Sequence, residues 1–538
     1  MIPHAPAATQ SCRTASLLRR TAGWLVLMAA SVLAGCASLP PPDTVQKSVS
    51  HAWAEPQATR LGRLAEAGRP AGVSYSGFRL LGRADSAYVS RIALVDAAEK
   101  TLDLQYYAIK QDASSDALLA RVREAAARGV RVRILLDDLN ASGRDAHVLR
   151  LMADRNIEIR MFNPLPGLRG SLLTRILGSL GDVDRIQRRM HNKVFIADNA
   201  LAITGGRNLG DAYFGQGQDS NFVDLDILAA GPVVREMSKS FDEYWNDKLA
   251  YPIESLLVRE DMLRLLGPVP EGDGPPAPDP DSSLSAATRT GRLDLVWAPS
   301  LFMVDKPGKL DPEQGVPAEE TQDTLVDGLL SLMRRARSDL LIVSPYFVPG
   351  PRMMEEFAGL RQRGIRVRVL TNSLASNDAP IAHVGYARYR RELLRLGVEL
   401  YEMRAEASVT RGAFGSGSGT SNIGSPPESR ASLHAKSIVM DGRVLVVGSM
   451  NLDLRSQLQN SEIAIVIRSA ALSAQATAMV QPTLDRDAWR MELTADDKLI
   501  WHAPSGVDAP DARAEPGAST GLKLLLKIIG PLAPDEML

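Results

Sequence analysis

One frame is spelled twice in this chain, and it constrains the fold more tightly than any other feature. His191-Asn192-Lys193, four residues, Asp198, six residues, Gly205-Gly206-Arg207-Asn208 recurs as His434-Ala435-Lys436, four residues, Asp441, six residues, Gly448-Ser449-Met450-Asn451. Both copies read H-x-K-x4-D-x6-G-[GS]-x-N with no slippage between the fixed positions. A histidine and a lysine two apart on a strand share one face. The runs Val194-Phe195-Ile196 and Ser437-Ile438-Val439-Met440 have the β-branched, apolar make-up of buried strands. Each half is therefore expected to present an imidazole and an ammonium to the same cavity.

The flanking sequence replays in the same order. Thr101-Leu102-Asp103-Leu104-Gln105-Tyr106-Tyr107 alternates like a strand, Asp116 to Arg128 has helical apolar spacing, and Gly129 to Leu136 reads as a second strand behind a glycine helix stop. In the second half Leu340 to Tyr346, Met353 to Arg363 and Gly364 to Leu370 repeat it. Strand, helix, strand and a short glycine turn make a βαβ unit, whose crossover favours a parallel sheet. The expected fold class is α/β, with two homologous domains packed with pseudo-twofold symmetry around one active site, each a mostly parallel sheet covered by helices. A chain of 538 residues exceeds one core and agrees with two. The domains are expected at 73–267 and 293–500, with the Pro/Gly/Asp-rich stretch from Pro268 to Asp281 opening a linker over 268–292 and a tail over 501–538. Gly412 to Arg430 is Gly/Ser/Thr-rich and reads as a surface insertion or, in a sharper reading, a lid.

The formal net charge of −1 argues against a protein built to neutralise nucleic-acid backbones. At the N-terminus, Arg13, Arg19 and Arg20 precede an apolar run from Trp24 to Leu33 and the word Leu33-Ala34-Gly35-Cys36. That run is shorter than the ~20 residues of a spanning helix, so 1–35 reads as an export signal. The word resembles a bacterial lipobox, which implies cleavage before Cys36, its lipidation, and a tether over 36–72. Ala37 after it favours the inner face of an outer membrane in the cell envelope. Cys12 is the only other cysteine and lies in the leader, so no intramolecular disulfide or cysteine zinc site is expected. Near the C-terminus, Leu522 to Ile529 sets Lys523 and Lys527 one turn apart among apolar residues, as expected of a helix lying in a membrane interface or docked on the protein itself.

The doubled frame resembles the HKD motif of the phospholipase D superfamily. The words Arg188-Arg189-Met190-His191-Asn192-Lys193, Phe241-Asp242-Glu243-Tyr244-Trp245-Asn246 and Gly397-Val398-Glu399-Leu400-Tyr401-Glu402 are similar to bacterial cardiolipin synthases of the C type. The resemblance implies a phosphatidyltransferase acting through phosphohistidine, with no cofactor and no metal. Lys193 and Lys436 would offset phosphate charge, and Asn208 and Asn451 would donate amide hydrogens to the same oxygens. One neutral imidazole would attack phosphorus while the other, protonated, serves the leaving alcohol. The family implies His191 as nucleophile and His434 as acid, which sequence symmetry leaves open. Asp198 and Asp441 complete the family's catalytic set and are read as holding the frame by buried ion pairing. Asp224 and Glu462 stand where the family places a carboxylate on the histidine, with Asp226 as an alternative to Asp224. Gly206 departs from the serine usual there, and His383, in Asn377 to Tyr386, is a candidate for the pocket wall. Implied partners are a membrane and phospholipids: phosphatidylglycerol as acceptor and phosphatidylethanolamine as donor. Hydrolysis by water is the same chemistry with another acceptor; an exported nuclease and a lipid-binding scaffold are the remaining readings.

Overall fold

The computed structural model describes residues 39–139, 150–167, 182–257, 290–311, 324–406 and 429–530, with a few isolated positions between them. The leader with Cys36, most of the 268–292 linker and the stretch 412–428 lie outside the described residues.

Up to the frame and just beyond, the chain forms β1 (Ser76–Leu81), β2 (Thr101–Tyr106), β3 (Arg131–Asp137), β4 (Ile157–Phe162), β5 (Val194–Ala197), β6 (Leu201–Gly205), β7 (Ser220–Val223), β8 (Asp226–Ala230), β9 (Ala250–Pro252) and β10 (Val296–Ala298). The second half adds β11 (Ser300–Val304), β12 (Asp339–Val343), β13 (Arg366–Asn372), β14 (Glu399–Met403), β15 (Arg430–Leu433), β16 (Ser437–Met440), β17 (Val444–Gly448), β18 (Ile463–Arg468), β19 (Ala488–Leu493) and β20 (Leu499–His502). Among the described residues eighteen of these make two nine-stranded sheets, ordered β10-β1-β8-β6-β5-β2-β3-β4-β9 and β11-β18-β17-β16-β12-β13-β14-β19-β20, and β15 and β7 make a two-stranded sheet of their own.

The alternation in β2 and β3 explains the layers. Leu102, Leu104, Tyr106, Val132, Ile134 and Leu136 pack outward with helices α1 (Ala84–Ala97) and α2 (Ala113–Ala127). On the other face Asp103 and Arg133 pair at 2.6 Å, with the guanidinium 4.8 Å from the Phe241 ring of α3 (Pro232–Asn246). The predicted βαβ units form: β2 runs parallel to β3, and β12 to β13. Glycine stops end the crossover helices α2 and α4 (Gly350–Gln362). After α2, Gly129 at φ 98 gives its N–H to Ala126 and Val130 gives its N–H to Ala125; Gly364 at φ 76 and Ile365 do the same to Arg361 and Leu360.

The sheets are not mostly parallel, which corrects the sequence expectation. Within the two nine-stranded sheets parallel pairing is confined to β2-β3-β4 and β12-β13-β14, and their other ladders are antiparallel. The frame itself is the cause. Asp198-Asn199 (φ 55 and 51) and Asp441-Gly442 (φ 54 and 60) are the centres of tight turns closed by Ala200 N–H to Ala197 O and Arg443 N–H to Met440 O, both 3.0 Å. Positive φ at both central residues is the hairpin geometry of a type I′ turn, so each frame folds back on itself as β5-β6 or β16-β17.

The halves share a core. Phe241 and Trp245 of α3 and Leu472, Ala476 and Val480 of α5 (Ala470–Pro482) belong to one buried cluster between the sheets. β10, although it follows the linker, pairs with β1, and β11 begins two residues later in the other sheet. The expected tether over 36–72 is likewise part of the first domain from about Lys47 onward. Buried Arg160 and Arg133 donate to the carbonyls of Ser48 (2.6 Å) and Ser50 (3.0 Å), and Ala52 N–H bonds Asp242 at 2.8 Å.

Candidate active site

Two short backbone pairings cross between the halves and set the site. β7 and β15 run parallel with Val223 opposite Leu433, so the residues that follow, Asp224 and His434, are neighbours. By pseudo-symmetry Met190 bridges Ser461, and the residues that follow are His191 and Glu462. The His434 N–H bonds Val223 O at 2.8 Å and the His191 N–H bonds Ser461 O at 3.0 Å. His434 Nδ1 lies 2.6 Å from Asp224 Oδ2, and His191 Nδ1 lies 2.9 Å from both Glu462 oxygens. Each carboxylate therefore serves the histidine of the opposite half. Asp226 instead pairs with Arg91 at 2.9 Å and Arg207 at 3.4 Å.

Both imidazoles line one cavity of ≈ 310 Å³ together with Asn208 and Asn451. With Nδ1 of each ring held by a carboxylate, Nε2 is the nitrogen left for the cavity. Asn208 donates to Tyr213 Oη at 2.9 Å, while Oδ1 of Asn208 and of Asn451 are buried without a partner among the described residues. The amide oxygens and nitrogens exchange on a side-chain flip, so both positions can offer donors to a bound anion. Tyr107 stands edge-on to His191 with centroids 5.0 Å apart, and Tyr213 and Phe222 flank His434 at 5.3 and 4.9 Å.

The lysines stand behind the histidines and are not part of the cavity wall, which corrects the expectation that each half presents its ammonium to the cavity beside the imidazole. Lys193 Nζ donates to His191 O at 2.8 Å; Lys436 Nζ donates to His434 O and lies 2.9 Å from His434 Nδ1. Burial lowers their ammonium pKa values to about 7 for Lys193 and about 8 for Lys436. Burial, then the charges of Lys193 and Lys436, holds His191 well below the usual imidazole value. His434 is lowered too, by burial and Lys436, with Asp224 opposing. Glu462 is pushed up to about 7 by burial, although Lys193 and the hydroxyls of Ser449 and Ser456 favour its charged form. Burial also opposes ionisation of Asp224, but His434 and Lys436 beside it hold it below the ordinary carboxylate value.

Two further sequence expectations are corrected here. Among the described residues Asp198 and Asp441 make no ion pair, and they do not line the cavity. The Asp198 carboxylate accepts N–H groups of Glu99, Lys100 and Thr101, and Asp441 those of Arg337, Ser338 and Asp339. Each side chain closes its hairpin against the start of β2 or β12, a job for a short carboxylate that tolerates positive φ. His383 is turned away from the cavity onto Arg390 (2.6 Å) and Glu515 (3.3 Å), though Asp378, Ala379, Ile381 and Ala382 beside it do line the wall. The departure at Gly206 from the serine usual there has a packing reason: a Cβ at this position would sit 2.1 Å from Asp224 Oδ1. The corresponding Ser449 instead donates to Glu462.

Sequence reasoning missed Lys110, Arg455, Tyr346, Asp378 and Asp453, which also line the wall. Lys110 and Tyr346 lie just past the C-terminal ends of β2 and β12, the end where open α/β sheets place ligands. That position was a usable signal. Tyr346 Oη donates to Asp378 at 2.9 Å, and burial raises Asp453 to about 7.

The family described as "Cardiolipin synthase, PLD-like domain" matches this chain at residues 92–245 and 329–482. "Cardiolipin synthase C" of Escherichia coli (strain K12) is 34% identical over 472 residues, covering 84% of this chain and 94% of that protein. "Cardiolipin synthase A" of Klebsiella pneumoniae is 24% identical over 82% of this chain and 76% of that protein. Among solved structures, phosphatidylserine synthase of Haemophilus influenzae covers 86% of this chain and 97% of its own at a TM-score of 0.55 and 15% identity, a likeness of fold.

Proposed function

Because the chain belongs to the phospholipase D superfamily, among its cardiolipin-synthase-like phosphatidyltransferases, we propose that it moves a phosphatidyl group from one phospholipid to the free hydroxyl of phosphatidylglycerol through a phosphohistidine. The observation that carries this reading is the pair of imidazoles in one cavity, each with Nδ1 held by a carboxylate of the other half. His191 Nε2 attacks phosphorus, the P–O bond to the leaving alcohol breaks, and His434 Nε2–H delivers its proton to that oxygen. In the second step His434 takes the proton of the acceptor hydroxyl, whose oxygen attacks phosphorus as the P–N bond breaks.

The division of roles is supported by the unequal carboxylates. Asp224 stays ionised through neutrality and can stabilise an imidazolium on His434, whereas Glu462 at about 7 stabilises charge on His191 less. The more neutral ring is the better nucleophile. Asn208 and Asn451, with the nearby cations of Lys110 and Arg455, would meet the phosphate oxygens.

The test is incubation of purified full-length protein with labelled phosphatidylglycerol, with and without phosphatidylethanolamine, and with single-stranded DNA in parallel. Label is expected in cardiolipin. Label reaching phosphatidic acid alone would make the protein a hydrolase, and cleavage of DNA alone would make it a nuclease.

The reading extends to a lipoprotein of the cell envelope, anchored through acyl chains on Cys36 and facing the periplasm, supported by the leader and its lipobox. Metabolic labelling of wild type with fatty acid, compared with Cys36→Ser, checks this: an unlabelled wild type would return 1–35 to the status of an uncleaved anchor.

A further inference from the structure

The C-terminal helix α6 (Thr520–Ile529) is docked by one face and bare on the other. Leu526 is buried, whereas Leu524, Leu525 and Ile528 are 61%, 52% and 63% exposed. Spaced one and three apart, these three form one face of the helix. The helix rests on the segment Pro380–Arg395, another helix, whose start belongs to the cavity wall. Gly530 packs on Val384, and Arg388 donates to Gly530 O at 2.7 Å. Further back the tail is clamped by Glu515, which pairs with Arg390 at 2.8 Å and His383 at 3.3 Å.

The placement of this bare face matters. Ile381, Val384 and Arg388 are three and four apart, so they share a side of their helix. Ile381 lines the cavity, is 38% exposed, and stands one turn from the residue that Gly530 touches. Among the described residues seven large apolar side chains are exposed, and four of them are Ile381, Leu524, Leu525 and Ile528. The apolar face thus continues from α6 towards the lip of the cavity. Lys527 is exposed and Lys523 half-exposed beside it, cations on long stems at the border of an apolar stripe.

Resting on the phosphatidyltransferase reading, we propose that this face is a bilayer-docking surface: Leu524, Leu525 and Ile528 enter the acyl boundary of a phospholipid membrane, Lys523 and Lys527 meet lipid phosphates, and Ile381 leads a lipid from the membrane into the cavity. Among the described residues no helix is long and apolar enough to cross a membrane. A surface contact of this kind buries one helical face in the headgroup region. An apolar stripe flanked by lysines complements an anionic lipid surface in both its halves, which a water-facing or purely apolar partner would not do.

Two measurements on the full-length chain decide it. Leu525→Trp adds one indole to the native six, and its added emission should be lost to phosphatidylglycerol vesicles with brominated acyl chains. Emission that stays unquenched overturns the proposal, as burial of the face by a second copy or another protein segment would require. In the second, Leu524→Glu/Ile528→Glu should raise KM for vesicular substrate about tenfold and leave turnover of monomeric short-chain phosphatidylglycerol unchanged. A fall on both substrates, or on neither, also overturns it. If wild type turns over no phospholipid, the functional reading fails, and the quenching alone still decides the surface.

Discussion

Each imidazole in the cavity has one nitrogen committed to a carboxylate, so chemistry depends on which partner holds the proton between them. With Glu462 ionised, His191 donates from Nδ1 and keeps a lone pair on Nε2. With Glu462 protonated, the carboxyl donates to Nδ1 and the ring proton moves to Nε2, which cannot attack. Glu462 is raised to about 7, so activity should rise with pH through that region; Lys193 and Lys436 lose charge through about 7 and about 8, so it should fall again above. A bell-shaped pH–rate profile is expected, its limbs belonging to the cluster as a whole, and Glu462→Gln should erase the acid limb. The nucleophile itself is checked by trapping: His434→Ala should accumulate acid-labile phosphate on His191 with a substrate carrying a good leaving group, and His191→Ala should trap none by mass spectrometry. Phosphate on any residue but histidine would end this mechanism. Both histidines and the frame asparagines were legible from the doubled word alone; the lysines were legible as partners of the site but not their place behind the rings, because the shared face of a strand does not tell which side chain reaches the cavity. Lys110, Arg455 and Asp378 were not, because they come to the cavity from separate strand ends and loops that share no word.

The elements that organise the site are hairpins and cross-pairs, and they were read unequally. The β2–α2–β3 unit followed from alternation and a glycine stop, both local signals. The antiparallel hairpins of the frames had a local signal too: Asp441-Gly442 between apolar runs is a strong type I′ word. The expectation of ion pairing for Asp198 and Asp441 failed because their partners are backbone N–H groups, which carry no sequence identity. Asp198→Asn should lower the unfolding free energy by about 2 kcal/mol, the scale of a charged hydrogen bond, seen in denaturant titration, with kcat of the folded protein unchanged. The pairings β7-β15 and Met190-Ser461 lead to a further expectation. Asp224→Asn should behave kinetically like a defect in His434, and Glu462→Gln like one in His191, each losing roughly a hundredfold or more in kcat as lost acid–base function does. Partnership within each half would give the opposite pattern.

At the scale of the whole molecule, the two sheets enclose a common core to which α3 and α5 both contribute, and β10 stitches the second half onto the first sheet. Two domains followed from length and repetition; a core shared between them did not, since the pattern of a buried strand is silent about which sheet covers it. Either half expressed alone should expose Phe78, Phe241 or Leu472 to water and lack the carboxylate its histidine needs, so it should show less than about a thousandth of full-chain turnover. Activity in a demonstrably monomeric half, by light scattering and lipid assay together, would contradict this. The exchanged carboxylates also bear on inheritance. Asp224 answers to a histidine 210 positions downstream and Glu462 to one 271 positions upstream. A duplicated gene ordinarily leaves one copy at liberty to drift, but here neither copy is spare: a lapse in one disarms the other, and the two can change only in concert.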